Sequence, residues 1–136
     1  MTNFNLMILA AGYGKRMKNL TESTPKPLLK INNKALLSYN IDFFLNLGCK
    51  KIVINTHYLY EHINNFIKAN YINVNIELIY EPFLLNTGGG IKNALSFFGN
   101  KNFLVTNTDV LWNKYNRKEI LEFINNMEQV KKCKLL

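Results

Sequence analysis

Cysteine is scarce in this sequence, with Cys49 and Cys133 as the two examples among 136 residues. They match no metal-ligand spacing and are too few for a disulfide framework, which suits a reducing compartment. Long apolar runs are also missing, because no stretch reaches the roughly 18 residues that a membrane-spanning helix needs. The N-terminal apolar run at 6–11 is too short for the core of a signal peptide. We therefore expect a cytoplasmic protein that does not contact membranes.

Arginine is the second scarce residue type. The formal net charge is +8, yet fifteen of the 17 cations are lysines and only Arg16 and Arg117 are arginines. Proteins that read nucleic acid usually cluster arginine on one face. Here the lysines are scattered among twenty-two asparagines, which is typical of a compositional bias. Nucleic-acid binding stays a minor alternative, and we expect no nucleic-acid partner.

Short apolar runs alternate with amphipathic segments along the whole chain. A hydrophobic share of 48% is enough for a packed core. Strands are predicted at 5–10, 51–55, 74–80 and 102–106, and helices at 34–47, 61–69, 91–98 and 118–130. Gly48 follows the first helix, where a helix end favours a positive φ. The order predicts one α/β domain over 1–136 that is Rossmann-like, with a mainly parallel sheet and helices on both faces.

Unusual residues gather just after three of the predicted strands. Glycines and cations at 12–16 follow the first strand, and a glycine-rich segment at 81–90 follows the third. Asn107 and Asp109 follow the fourth strand. Ligands of parallel sheets bind beyond the carboxyl ends of the strands. We therefore expect these three loops to meet at one edge of the sheet and to form a binding site.

The first loop combines glycines, cations and prolines. Its two glycines allow the backbone to approach a ligand and to point N–H groups at phosphate oxygens. Arg16 can form two parallel hydrogen bonds to a phosphate, while Lys26 is a compact charge stiffened by Pro25 and Pro27. No Walker loop is present, and the dinucleotide fingerprint lacks its third glycine. A P-K-P segment alone is more often a stiffened surface loop.

The complete string is more specific than its parts. The first loop contains the string L-A-A-G-x-G-x-R-M, followed after seven residues by P-K-P-L. This compound motif resembles the signature of the sugar-1-phosphate nucleotidyltransferases, and the resemblance extends over about 5–109. It implies that Arg16 and Lys26 are catalytic, Arg16 holding the triphosphate and Lys26 a phosphate near the reacting centre. Lys15 stands where the family often has threonine or serine. The resemblance also assigns nucleotide binding to Leu9, Ala10, Ala11, Gly12, Gly14, Lys15, Arg16 and Lys26.

The segment 81–90 resembles the base-recognising segment of the same family. Asn86 replaces a common glycine of the L-G-T-[AG]-G pattern, and three glycines follow Thr87. The triple glycine most resembles the uridylyltransferases that act on N-acetylmuramic acid 1-phosphate in peptidoglycan recycling. Guanylyltransferases for mannose or heptose 1-phosphates are the nearest alternatives. The resemblance implies that Glu81, Asn86, Thr87 and Gly88 bind nucleotide, whereas a glycine-rich turn that opens the next helix is the simpler interpretation of the segment alone.

The fourth strand ends in Asn107-Thr108-Asp109, which resembles the N-G-D or D-G-D of the family. The resemblance implies that Asp109 binds Mg²⁺ and that Asn107 contacts the ribose or a phosphate. Magnesium takes few carboxylates and completes its shell with phosphate and water oxygens. In isolation, Asp109 would be interpreted as a turn or helix cap.

The implied reaction is transfer of a nucleoside monophosphate from a nucleoside triphosphate, UTP favoured, to a sugar 1-phosphate, with release of pyrophosphate. Family members continue to a sugar site and a second metal-binding aspartate, whereas after Asp109 this chain offers only Glu119, Glu122 and Glu128. The chain thus resembles the nucleotide-binding half, and we expect slow or no turnover by it alone. We also expect an apolar patch near the fourth strand or last helix that favours self-association or a partner chain. A non-catalytic nucleotide-binding or assembly module stays an open alternative.

Overall fold

A computed structural model describes residues 3–127 of the chain. In chain order the elements are β1 (Phe4–Leu9), β2 (Lys30–Ile31), β3 (Lys34–Ala35), α1 (Leu36–Leu45), β4 (Cys49–Thr56), α2 (Tyr60–Asn70), β5 (Ile76–Tyr80), α3 (Asn86–Phe98), β6 (Phe103–Asn107) and α4 (Arg117–Asn125). Two 3₁₀ helices, Lys15–Thr21 and Lys26–Leu28, lie between β1 and β2. Apart from β2, β3 and the two 3₁₀ helices, this alternation of strands and helices is the one that the sequence predicts.

The central sheet has four parallel strands in the order β5-β4-β1-β6. The chain builds outward from β1 to β4 and β5, and then returns to the other side of β1 to form β6. The strand order therefore reverses between β1 and β6, which is where doubly wound sheets bind ligands. Leu9 is paired with Asn55 on one side and with Asn107 on the other, so the three carboxyl ends are level.

Helices cover both faces of this sheet, as predicted. In β1, Leu6 and Ile8 face one side and Met7 faces the other, because side chains alternate along a strand. Helices α1, α2 and α4 pack on the first side and bury Leu37, Ile41, Phe44, Ile63, Ile67, Ile120 and Ile124. Helix α3 packs on the second side through Ala94 and Phe98. Each large apolar side chain buried in this way stabilises the fold by about 1.5–3 kcal/mol.

Helix α3 begins earlier than predicted. The sequence predicts a helix at 91–98, but the structure extends it back to Asn86, so the three glycines belong to its first turns and not to a loop. Glycine has a low helix propensity, and for this reason the pattern alone does not indicate a helix there. Gly90 is needed at its position, because a Cβ would lie 2.7 Å from Nδ2 of Asn55.

A small hairpin, β2 and β3, is absent from the prediction. Asn32 and Asn33 at its tip have φ angles of 49° and 62°, which is the signature of a two-residue type I′ turn. The first helix consequently starts at Leu36, whereas the sequence predicts position 34. Similarly, β5, which corresponds to the predicted strand at 74–80, starts at Ile76 and not at 74.

The last helix is described as far as Asn125, while the predicted helix runs to 130. Glu128, Cys133 and the end of that predicted helix lie outside the described residues.

Of the two cysteines, Cys49 is buried, and burial raises the pKa of its thiol to about 12. None of the helices within 3–127 combines the length and apolar character needed to cross a membrane.

Gly48, predicted to end the first helix, has a φ of 100° and donates its N–H to the carbonyl oxygen of Leu45.

The apolar side chains of Val105 in β6 and of Leu111 are exposed. The apolar patch expected near the fourth strand or the last helix stays a prediction.

Candidate functional site

A cavity of about 370 Å³ opens at the carboxyl edge of the sheet. Its walls are formed by Leu9, Ala10, Ala11, Gly12, Lys26, Pro27, Asn55, Leu84, Asn86, Thr87, Asn107, Thr108 and Asp109. All three predicted loops contribute to these walls, although they lie far apart in the sequence. The expected convergence at one edge is therefore present.

The glycine loop after β1 is shaped by two glycines with different roles. At Gly12 a Cβ would meet no heavy atom within 4 Å, so the backbone here is open to the cavity. Gly14 has a φ of 65°, and its Cβ would lie 2.9 Å from Cγ2 of Thr21 and 3.1 Å from Cβ of Lys26. Only glycine allows this turn and this close approach together. Gly14 thereby brings the glycine loop against the segment that carries Lys26.

Lys26 and Asp109, 83 residues apart in the sequence, meet in the cavity wall. Nζ of Lys26 lies 2.6 Å from Oδ2 of Asp109, and the two side chains are 29% and 50% exposed. The hydrogen bond from Lys26 lowers the pKa of the Asp109 carboxyl below its usual value, against the opposing effect of its partial burial. Because solvent screens such a pair, it is worth only about 0.2–1 kcal/mol and can rearrange when a ligand binds.

The backbone on both sides of Asp109 is fixed by buried and partly buried hydrogen bonds. Nδ2 of Asn40, a fully buried residue of α1, donates to the carbonyls of Thr108 and Val110, each at 3.1 Å. The Thr108 hydroxyl donates to the carbonyl of Leu9 at 3.3 Å. Thr108 thus anchors the aspartate loop to the end of β1, at the position where the family pattern has glycine.

Glu81 lies behind the cavity wall and not in it. Its side chain is fully buried and accepts a hydrogen bond from Nδ2 of Asn55 at 2.8 Å and one from the N–H of Leu85 at 3.3 Å. Oδ1 of Asn55 in turn accepts the N–H of Ala10 at 2.9 Å. Asn55 is a site residue that the sequence analysis missed. The available signal was a polar side chain at the end of an otherwise apolar strand, K-I-V-I-N.

Several predicted site residues lie near the cavity without lining it. Lys15 and Arg16 begin an exposed 3₁₀ helix, and Nζ of Lys15 lies 5.1 Å from the centre of the Tyr13 ring. Within residues 3–127, the Arg16 side chain makes no hydrogen bond or ion pair. Gly88 is exposed on the first turns of α3. The roles assigned to these residues stay predictions.

A parallel sheet whose strand order reverses beside a glycine loop, with a lysine and an aspartate in the same cavity, defines a nucleotide-binding α/β protein. The chain belongs to the nucleotidyl transferase family, whose model matches residues 5–134. This confirms the family that the motif in the glycine loop predicts.

Two curated relatives act on different nucleotides. The chain is 43% identical over 107 residues to the N-acetylmuramate alpha-1-phosphate uridylyltransferase of Neisseria meningitidis, covering 77% of this chain and 46% of that protein. It is 32% identical over 99 residues to the D-glycero-alpha-D-manno-heptose 1-phosphate guanylyltransferase of Campylobacter jejuni, covering 73% of this chain and 45% of that protein. The chain thus spans about half the length of these relatives.

A solved structure agrees in fold and in sequence. The crystal structure of HddC from Yersinia pseudotuberculosis complexed with GMP-PN superposes with a TM-score of 0.74 at 30% identity. The match covers 90% of this chain and 54% of HddC.

Proposed function

We propose that this chain is the nucleotide-binding part of an enzyme that transfers a nucleoside monophosphate from a nucleoside triphosphate to a sugar 1-phosphate. The observation that carries the proposal is the cavity at the strand-order reversal, where Lys26 and Asp109 meet beside the open backbone of Gly12. In the reaction, an oxygen of the sugar phosphate forms a bond to the α-phosphorus, the bond from the α-phosphorus to the bridging oxygen breaks, and pyrophosphate leaves.

The residues of the cavity match the needs of this transfer. The N–H groups of the glycine loop would bind the phosphate oxygens, and Arg16, on the adjoining exposed helix, would close on them from outside. Lys26 would leave Asp109 and neutralise charge on the reacting phosphate. No covalent intermediate with the protein is needed, because alignment and charge neutralisation supply the rate acceleration.

The site fits a magnesium ion that arrives with the nucleotide. Asp109 is the carboxylate that lines the cavity, and residues 3–127 hold no group of three or more His, Cys, Asp or Glu side chains able to bind a metal by themselves. Magnesium is commonly held by one or two carboxylates, with the remaining ligands from phosphate and water. When bound, it would offset charge that develops on the leaving pyrophosphate. Asp109 would hold the ion, with Asn107 beside it on the ribose or a phosphate.

For the base we favour uracil over guanine. The support is the triple glycine of α3 and the relative of highest identity reported above, a uridylyltransferase. Guanine is the second candidate, supported by the guanylyltransferase relative and by HddC complexed with GMP-PN. In either case the base would lie against the cavity wall formed by Leu84, Asn86 and Thr87.

Titration calorimetry with UTP and Mg²⁺ tests the proposal. A charge-assisted hydrogen bond is worth about 1.5–3 kcal/mol, so Lys26→Ala should weaken UTP binding by about 10- to 150-fold. Lys68→Ala is the matched control, because Lys68 is an exposed lysine in the last turn of α2, outside the cavity. Unchanged affinity in Lys26→Ala would remove Lys26 from the site. Tighter binding of GTP than of UTP to the unaltered chain would move the assignment to the guanylyl branch.

A further inference from the structure

Two hydrogen-bonded bridges connect the glycine loop to the segment after β5. The inner bridge is the buried one already described, in which Asn55 accepts the N–H of Ala10 and donates to the carboxylate of Glu81. Its three residues are at most 5% exposed. The inner bridge therefore fixes the point where the chain leaves β1.

The outer bridge runs through His57, the residue that follows β4. Its Nδ1 lies 2.6 Å from the carbonyl oxygen of Glu81, and its Nε2 lies 2.7 Å from Oη of Tyr13. Because a carbonyl oxygen can only accept, Nδ1 carries a hydrogen and donates it to Glu81, while Nε2 shares a hydrogen bond with the hydroxyl of Tyr13. The Tyr13 ring packs edge-on against the imidazole at 5.0 Å, and Tyr80 stacks on it at 6.5 Å. The imidazole is thus held by polar and aromatic contacts.

The outer bridge acts between the two glycines of the glycine loop. Tyr13 stands between Gly12 and Gly14, two residues without a side chain to pack. Strands β1 and β5 are not neighbours, because β4 lies between them. Through residues 55 and 57 the end of β4 therefore sets the distance between the glycine loop and the segment that leads into α3.

We propose that Tyr13 and His57 are positioning residues that set the spacing between the glycine loop and the cavity wall at 84–87. This rests on the proposed function, in which the glycine loop binds the triphosphate and that wall binds the base. A nucleoside triphosphate would contact both walls at once, whereas inorganic tripolyphosphate would contact the glycine loop and the phosphate-binding cations but not the wall at 84–87. Spacing that is fixed before binding lowers the ordering cost for the nucleotide, and it gives no such advantage to tripolyphosphate.

Calorimetry with UTP and with inorganic tripolyphosphate, both with Mg²⁺, tests this role in the unaltered chain and in Tyr13→Phe. Loss of one hydroxyl should weaken UTP binding by about 3- to 10-fold. Tripolyphosphate binding should stay the same within error. Tyr60→Phe is the matched control, because the Tyr60 ring packs 5.4 Å from Tyr80 while its hydroxyl has no hydrogen-bond partner among residues 3–127. It should change neither affinity.

His57→Phe provides a second variant, because it keeps a ring between Tyr13 and Tyr80 and removes both hydrogen bonds. It should reproduce the selective loss of UTP binding. Equal weakening of both ligands would show that Tyr13 acts on the glycine loop alone, and unchanged UTP binding would show that the bridge has no role; either result overturns the inference. An unaltered chain that binds neither ligand would overturn the proposed function itself.

Discussion

Lys26 and Asp109, the residues predicted to bind phosphate and metal, are paired with each other in the structure. A nucleotide that arrives without metal must separate them and then tolerate the carboxylate beside its own negative charge. A magnesium ion would relieve both costs, because it takes Asp109 as a ligand and leaves Lys26 for phosphate. At the scale of single residues, the proposed function therefore predicts that the ion pair couples metal binding to nucleotide binding.

The variant Asp109→Asn tests this coupling. In EDTA, Lys26 no longer has an ionic partner, so UTP affinity should rise by about 1.5- to 5-fold, the value of a partly exposed ion pair. In Mg²⁺ the same variant should bind UTP more weakly than the unaltered chain, because its predicted metal ligand is gone. Calorimetry under both conditions measures the two changes.

Asp42→Asn is the control for charge removal, because Asp42 pairs with Lys34 at 2.5 Å, outside the cavity wall. It should leave both affinities unchanged. If Asp109→Asn bound metal-free UTP no better than the unaltered chain, the pair would not compete with the nucleotide.

At the scale of elements, α3 is fitted closely to the end of β4. A Cβ on Gly90 would lie 2.7 Å from Nδ2 of Asn55 and 3.1 Å from Oε1 of Glu81. Gly90→Ala should therefore disturb a buried hydrogen bond and lower the free energy of unfolding by about 1–3 kcal/mol. Urea denaturation measures this loss.

Gly88→Ala is the matched control within the same helix. Gly88 is exposed, and a Cβ there would meet nothing within 4 Å. Alanine is favoured over glycine inside a helix, so this variant should keep or raise the free energy of unfolding, by up to about 1 kcal/mol. Equal destabilisation by both variants would mean that the close contact of Gly90 with Asn55 is not the cause of the loss.

Helices and strands could be predicted from the sequence where the residue pattern is typical of one kind of secondary structure. Strands β1 and β4 are short apolar runs, and their burial on both faces of the sheet follows from that composition. The start of α3 could not be predicted, because three glycines oppose a helix and only the packing of Gly90 favours it. The β2–β3 hairpin was missed because strands of two residues carry no periodicity.

Some contacts of the candidate site could likewise be predicted from the sequence, and others could not. The meeting of the glycine loop, Lys26 and Asp109 could be predicted, because parallel strands share one carboxyl edge. The bridges through Asn55 and His57 could not. Their partners in the glycine loop are 45 and 44 residues away, and only the strand order places β4 between β1 and β5.

At the scale of the whole molecule, the fold separates the seven glycines into two groups. Gly12 and Gly14 follow β1 and the three glycines of α3 adjoin the same cavity edge. Gly48 precedes β4 and Gly99 precedes β6, so both lie at the amino edge of the sheet. The glycines can therefore report which edge of the sheet a ligand binds.

An NMR titration of glycine-selectively ¹⁵N-labelled chain with UTP and Mg²⁺ tests the central claim most directly. We expect saturable shifts of the amide signals of the five glycines at the carboxyl edge. The signals of Gly48 and Gly99 should stay in place. Shifts confined to Gly48 and Gly99, or no saturable shift of any glycine, would contradict nucleotide binding in the cavity between β1 and β6.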